Sequence, residues 1–548
     1  MNRTIQGVAL AALFGLQSLN VGAADFAVPT VRVTGGLISG TASSDGRIRK
    51  YLGVPFAAPP VGDLRWHAPQ PVRPWDGVRS AAAFGPSCVQ PPPPAGNSLQ
   101  TQLFFAGFKG MSEDCLTLNV WTPARAGSQR LPVMVWIYGG GFRAGLSSAP
   151  LYDGERFARR GVVFVSVNYR VWKLGFLTLP ELDAESPHGA SGNYGLLDQI
   201  TGLQWVHDNI GAFGGDPSRV TIFGQSAGAQ SVTYLLTSPL AHGLFSRAIV
   251  ESGGAVYPSS DLSTYPLQHF KAAEAAGARW AQSLSAPTLE QLRKLTPEQL
   301  LAVPEGGRFD SSRPVIDGYV LPDSPLAIYT SGKQNDVPLM TGSNANEGTA
   351  FGYLKTADAL RKKVHTDLGE LADRFMRLYP FTTDAEAKLA SESAHREENL
   401  TWGTWMLANL QSTTGRSRVF YYNFDRGLPV PSGEKFIEDP YPNVGSTHGA
   451  ELPYVFGNLG ALRFAWTATD RRVSDIMQQY WVNFATTGNP NGPRVPRWTV
   501  FDPARPRALR VNDEATMGPV RYFAQFDFWT DVYLRHGFDW NADLEPTF

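Results

Sequence analysis

Five short stretches of this chain are apolar at nearly every position: Val133–Ile137, Val162–Val167, Val220–Phe223, Ala248–Val250 and Pro338–Thr341. A strand with one wet face alternates polar and apolar residues. A strand that is apolar throughout is buried on both faces, as happens when helices cover a parallel sheet from both sides. Several gaps between these runs have room for a crossover helix, and Leu196–Val206 carries its apolar residues at helical spacing. This β-α-β-α rhythm predicts an α/β fold with a large central sheet, mixed or mostly parallel, flanked by helices. From Ser260 to Val303 and from Ala357 to Leu410 the pattern is helical without clear strands. Both tracts are expected to be helical insertions that lie over the sheet and wall a pocket.

Composition narrows the class further. Of 548 residues, 43% are hydrophobic and 18% charged, which suits a large buried core and excludes a disordered chain. With 48 Lys and Arg against 49 Asp and Glu, there is no electrostatic footprint for nucleic acid or for an anionic membrane. The 55 glycines and 41 prolines point to long loops joining ordinary elements. Residues 1–23 read as a secretory signal: Arg3 is basic, Val8–Leu16 is a short apolar run, and Val21-Gly22-Ala23 ends in small residues. That run is too short to cross about 30 Å of hydrocarbon, and no later segment reaches the ~20 apolar residues of a membrane span. Residues 24–548 are therefore expected to form one exported domain, secreted or periplasmic, with no stable membrane anchor. Neither a repeat nor a low-complexity linker divides it. The two cysteines, Cys88 and Cys115, bracket the Pro91–Pro94 run. They are either a disulfide or two unrelated buried thiols, and they are too few for a four-cysteine zinc site.

The chemistry concentrates at Gly224-Gln225-Ser226-Ala227-Gly228, between the run Val220–Phe223 and an expected helix from Ala227 to Leu236. A serine on a tight strand-to-helix turn stands clear of the sheet at a helix N-terminus, where developing negative charge is favoured. The competing reading is a glycine-rich structural turn with an incidental serine. Tyr138-Gly139-Gly140-Gly141-Phe142 follows another strand run, and the N–H groups of Gly140, Gly141 and Ala227 are the candidate donors to an oxyanion. An ordinary strand-end turn is the plain alternative. A nucleophilic serine also needs a base and an orienting acid. In the chain order serine, acid, histidine, His448 is favoured because glycines flank its loop, Asn443–Gly449. His536 stays open, whereas His365 and His395 lie in charged segments expected to be solvated. Glu347, in the polar turn after Pro338–Thr341, is one acid candidate among many carboxylates in that window.

These motifs together resemble the type-B carboxylesterases, the family that includes cholinesterases. Phe213–Gly228 is similar to the family's serine signature and Glu113–Val120 to its second signature. The likeness continues through Trp136–Phe142, Asn346–Gly348, His448–Leu452 and Asn483–Asn491. The resemblance implies an α/β-hydrolase fold and hydrolysis of small-molecule carboxylic esters without metal or organic cofactor. Carried over position by position, it makes Ser226 the nucleophile, Glu347 the acid and His448 the base. It also implies Gly140, Gly141 and Ala227 as oxyanion donors and Cys88–Cys115 as a disulfide. Two departures stand out. Gln225 replaces the glutamate that precedes the serine in cholinesterases, and Phe104, Phe105 and Phe108 occupy the cysteine loop without a tryptophan. A choline ester is thus disfavoured relative to a neutral acyl ester. The lack of further cysteines resembles a bacterial-type enzyme. A lipase acting on longer acyl chains and a non-catalytic binding or adhesion protein on the same fold are the rival expectations.

Overall fold

The computed structural model describes residues 28–536, apart from 126–128, 258–267, 303–312, 351–353, 355 and 439–443. The expected leader, 1–23, lies outside the described residues. Eleven strands form the main sheet. In chain order they are β1 (Thr41–Ala42), β2 (Ile48–Pro55), β3 (Thr117–Pro123), β4 (Leu131–Ile137), β5 (Val163–Val167) and β6 (Gly215–Gln225). They continue with β7 (Arg247–Glu251), β8 (Leu339–Asn344), β9 (Val419–Phe424), β10 (Arg507–Val511) and β11 (Ala515–Pro519). Across the sheet the order is β11-β10-β9-β8-β7-β6-β4-β5-β3-β2-β1. Strands β4 to β10 pair in parallel, while β1, β2, β3 and β11 add antiparallel edges.

All five apolar runs coincide with strands of the parallel centre, and apart from half-buried Pro338 every residue of them is buried. In β5 every residue is buried, and β4 is buried from Pro132 to Ile137. The outer strands were harder to read because β2 breaks its apolar run with Arg49 and Lys50, and β10 sets Arg507 and Arg510 on either side of buried Ala508 and Leu509. On one face of the sheet an aromatic cluster closes the core. The Trp136 ring lies 4.9 Å from both Phe223 and Phe456 and 5.0 Å from Tyr152. Ring pairs at this spacing add about 0.5–1.5 kcal/mol each beyond their buried area.

Helices cover both faces. The first, α1 (Tyr194–Asn209), is locked to the end of β5 by a buried ion pair, in which Arg170 Nε and Nη2 donate to Asp198 at 2.8 and 2.7 Å. The second, α2 (Ala227–Thr237), is buried at every residue and packs behind β6 and β7. The two insertion tracts contain Phe270–Ser283, Leu289–Lys294 and Pro297–Leu301, and then Ala357–Leu368, Ala372–Leu378, Asp384–Arg396 and Trp402–Thr414. The long helix Ala468–Thr487 starts from a reciprocal Thr467–Asp470 capping box and stops at Gly488, whose φ of 73° is left-handed.

Cys88 and Cys115 are bonded, with their Cα atoms 5.0 Å apart. The bond closes a loop of 27 residues, and the chain-entropy relation assigns such closure about 3–4 kcal/mol. The Cys88→Ala/Cys115→Ala double variant should lose stability of that order. Urea unfolding of the variant, and of the wild type with and without reductant, measures it. Unchanged midpoints would refute the assignment.

Candidate active site

The elbow is built by close approach. Strand β6 ends at Gln225, α2 begins at Ala227, and Ser226 alone makes the turn with φ 57° and ψ −128°. A side chain seldom accepts such angles, so neighbouring contacts must hold them. The Ser226 N–H donates to the Glu251 carbonyl at 3.0 Å, and the Ser226 carbonyl accepts the Gln230 N–H at 2.9 Å. The flanking glycines are required by space. A Cβ on Gly228 would fall 2.1 Å from the Ile137 carbonyl oxygen, and one on Gly224 would fall 2.5 Å from the Gly228 backbone. Ser226 is partly exposed while Gln225 and Ala227 are buried, so the turn presents the hydroxyl and little else.

The glycine loop after β4 lies directly on this elbow. A Cβ on Gly139 would sit 2.6 Å from the Gln225 carbonyl oxygen and 3.0 Å from Ser226 Cβ. Gly140, Gly141 and Phe142 follow with φ of 113°, 67° and 61°. This curl is held by the Gly140 carbonyl, which accepts the Arg143 and Ala144 N–H groups at 3.1 Å each. Among the described residues, no protein group accepts the N–H of Gly140, Gly141 or Ala227. Unused donors beside a serine are what an incoming oxyanion requires.

Acid and base meet through two loops distant in sequence. Glu347, following β8, is fully buried, and its Oε2 lies 2.6 Å from His448 Nδ1. An ionised carboxylate can only accept, so Nδ1 carries the proton and Nε2 keeps its lone pair. The other oxygen, Oε1, accepts the Asn344 N–H at 2.7 Å. Around this pair the loops are stitched together: the Asn346 N–H donates to the Ser446 carbonyl at 3.0 Å, and Asn346 Oδ1 accepts the Ser446 N–H at 3.1 Å. The Gln225 amide nitrogen lies 3.4 and 3.3 Å from Nδ1 and Nε2 of His448, which places the imidazole against the elbow. The Phe104 ring covers it from the cysteine loop, 6.0 Å between centroids.

The structure thus gathers Ser226, Glu347, His448, Gly140, Gly141 and Ala227 at the carboxyl ends of the parallel strands. His365 is exposed, as expected. His395 is not: only 8% of it is accessible, because Asp384–Arg396 docks onto the core and carries the histidine inward. His536 ends the helix Phe523–His536. Sequence reasoning passed over two more buried carboxyls, Glu251 and Glu451. Glu251 is fully buried and accepts the Trp481 Nε1–H at 2.7 Å. Burial pushes its carboxyl up to about 8, with Trp481 pulling the other way. Burial, then the charges of Glu347 and Glu251, hold the Glu451 carboxyl well above the usual range. The one available signal for Glu251 was a charged residue closing the apolar run Ala248–Val250.

A carboxyl raised in the folded state favours folding while protonated. Its contribution is fully present below the ordinary value of 4.5 and is lost as the pH rises towards about 8. Glu251→Gln should therefore lose less stability than the wild type over that window, with unfolding midpoints measured against pH. Parallel profiles would overturn the protonated state of Glu251.

The model of the carboxylesterase family matches residues 27–529. The chain is 38% identical over 472 residues to a fumonisin B1 esterase of Sphingopyxis macrogoltabida, covering 84% of this chain and 82% of that one. It is 33% identical over 492 residues to a para-nitrobenzyl esterase of Bacillus subtilis, covering 88% and 94%. It is likewise 33% identical over 530 residues to a cocaine esterase of Homo sapiens, covering 91% and 90%. Two solved structures of PNB esterase superpose with TM-scores of 0.76 and 0.74 at 32% and 33% identity, each covering 91% of this chain and 99% of the other. Sequence, fold and the arrangement around Ser226 agree: the chain belongs to the carboxylesterase family and hydrolyses carboxylic esters.

Proposed function

We propose that Ser226, His448 and Glu347 carry the reaction as nucleophile, general base and orienting acid. The observation behind this reading is the 2.6 Å Glu347–His448 hydrogen bond on an imidazole that Gln225 holds against the serine elbow. His448 Nε2 takes the Ser226 proton as Oγ attacks the ester carbonyl. Negative charge then grows on the carbonyl oxygen, and the N–H groups of Gly140, Gly141 and Ala227 receive it. The proton passes from His448 to the leaving alcohol. Water, activated by the same imidazole, attacks the acyl-serine and releases the acid. Glu347 stays ionised and stabilises the imidazolium formed in each step.

The substrate we propose is a small neutral ester. Gln225 presents an amide where a carboxylate would attract a cation, and the wall over His448 is Phe104. We also propose that the protein is exported, secreted or periplasmic, with residues 1–23 as its leader. The apolar run Val8–Leu16 and the Cys88–Cys115 bond support this reading, since disulfides persist in oxidising compartments.

Ser226→Ala should lower p-nitrophenyl acetate hydrolysis by about four orders of magnitude. Retained turnover would refute the nucleophile. A series of p-nitrophenyl esters from acetate to palmitate, with a choline ester alongside, should favour the short neutral members. Preference for emulsified palmitate would mark a lipase instead. For the oxyanion donors, Gly140→Ala is the sharper probe. Its Cβ would fall 2.0 Å from the Ala144 carbonyl oxygen, at a φ of 113°. The loop must then rearrange, and kcat should fall about 100- to 1,000-fold with the protein still folded by circular dichroism.

A further inference from the structure

We propose that Asn344 is a positioning residue for ester hydrolysis, holding the acid loop and the base loop at their working separation. This rests on the triad reading above. Asn344 closes strand β8 and is 1% accessible. Its backbone N–H donates to Glu347 Oε1 at 2.7 Å, fixing the acid from its own strand. Its side chain crosses to the other loop. Nδ2 donates to the Thr447 carbonyl, the residue before His448, at 2.8 Å, and to Glu451 Oε2 three residues beyond. One amide therefore grips the base loop on both sides of the histidine, while the same residue's main chain grips the carboxylate that orients it.

The chemistry of the partners requires an amide here. A carbonyl oxygen and a carboxyl oxygen both face Nδ2, so the position must supply two donors, which only an –NH2 group does at this length. Asn344 Oδ1 finds no partner among the described residues, consistent with the nitrogen being the end that matters. The surroundings are electrically demanding. Glu347 comes from the same loop, His448 and Glu451 from the facing one, Glu251 from β7, and Tyr421 and Tyr422 from β9. A neutral donor is the group that adds no charge to this set.

Asn344→Asp and Asn344→Ala separate this role from simple packing. Aspartic acid has the same shape but donates only while protonated; once ionised it faces the Thr447 carbonyl as one acceptor against another. Neighbouring carboxyls and burial raise its titration range. The activity of Asn344→Asp relative to the wild type should therefore be highest near pH 6 and fall about tenfold or more by pH 9. Asn344→Ala should show no such slope. Its kcat should fall about ten- to a hundred-fold, the range for leaving a buried acceptor unsatisfied, with KM changed less than about threefold. Sites are counted by titration with a serine-directed organophosphate, so unfolded protein does not enter the ratio. If Asn344→Ala is insoluble, the pH slope of Asn344→Asp decides alone. A ratio flat with pH, or an alanine variant with wild-type kcat, overturns the proposal. If Ser226→Ala is inactive in the same assay, the triad reading survives that outcome, so the two failures are distinguishable.

Discussion

One contact governs this molecule: the backbone of β4 at Ile137 against the two glycines that bracket Ser226. Because Gly224 and Gly228 have no Cβ, the strand and the helix can meet at a separation that any other residue would forbid. That separation forces a single residue to make the turn, and the residue pays in backbone strain, adopting φ 57°. Angles of this kind cost about 1–3 kcal/mol and persist only where the surroundings leave no alternative. Here the surroundings are a parallel sheet buried on both faces and a helix buried along its whole length. The large hydrophobic core is thus the reason a strained serine can stand partly exposed at the end of β6.

A second consequence concerns charge. The region around His448 contains three fully buried carboxyls, Glu251, Glu347 and Glu451. Three negative charges in a low-dielectric interior would repel strongly, and burial instead leaves Glu251 and Glu451 holding protons over a wide range of pH. Glu347 alone of the three has the imidazole of His448 as a hydrogen-bond partner. The division of labour among chemically identical side chains follows from which of them meets the histidine. Gln225 extends the same logic to the front of the site, where an amide rather than a fourth carboxyl lies against the ring.

Much of this was legible in the residues. The five apolar runs announced the parallel strands, and Gly224–Gly228 announced the elbow, because both are local consequences of burial and turn geometry. The acid and the base were less distinct on local grounds. Glu347 competes with many carboxylates in its window, and what singles it out is a hydrogen bond to a residue 101 positions away. The outer strands were muted by their arginines and lysines. His395 looked solvated because its neighbours are charged, yet helix docking buried it. Asn344 and Glu251 carried almost no signal, since a polar residue at a strand end is ordinary until its partners from other strands are in place.

The separation of Ser226, Glu347 and His448 along the chain has a bearing on when the enzyme becomes active. Ser226 and Glu347 follow the ends of β6 and β8, His448 lies in the long loop after β9, and β9 must dock on β8 before that loop can reach Glu347. A ribosome has made four-fifths of the protein before the last of the three emerges. Under the proposed roles, a nascent chain already carries its serine while the partner base is still unmade, and a product terminated before residue 448 lacks that base altogether.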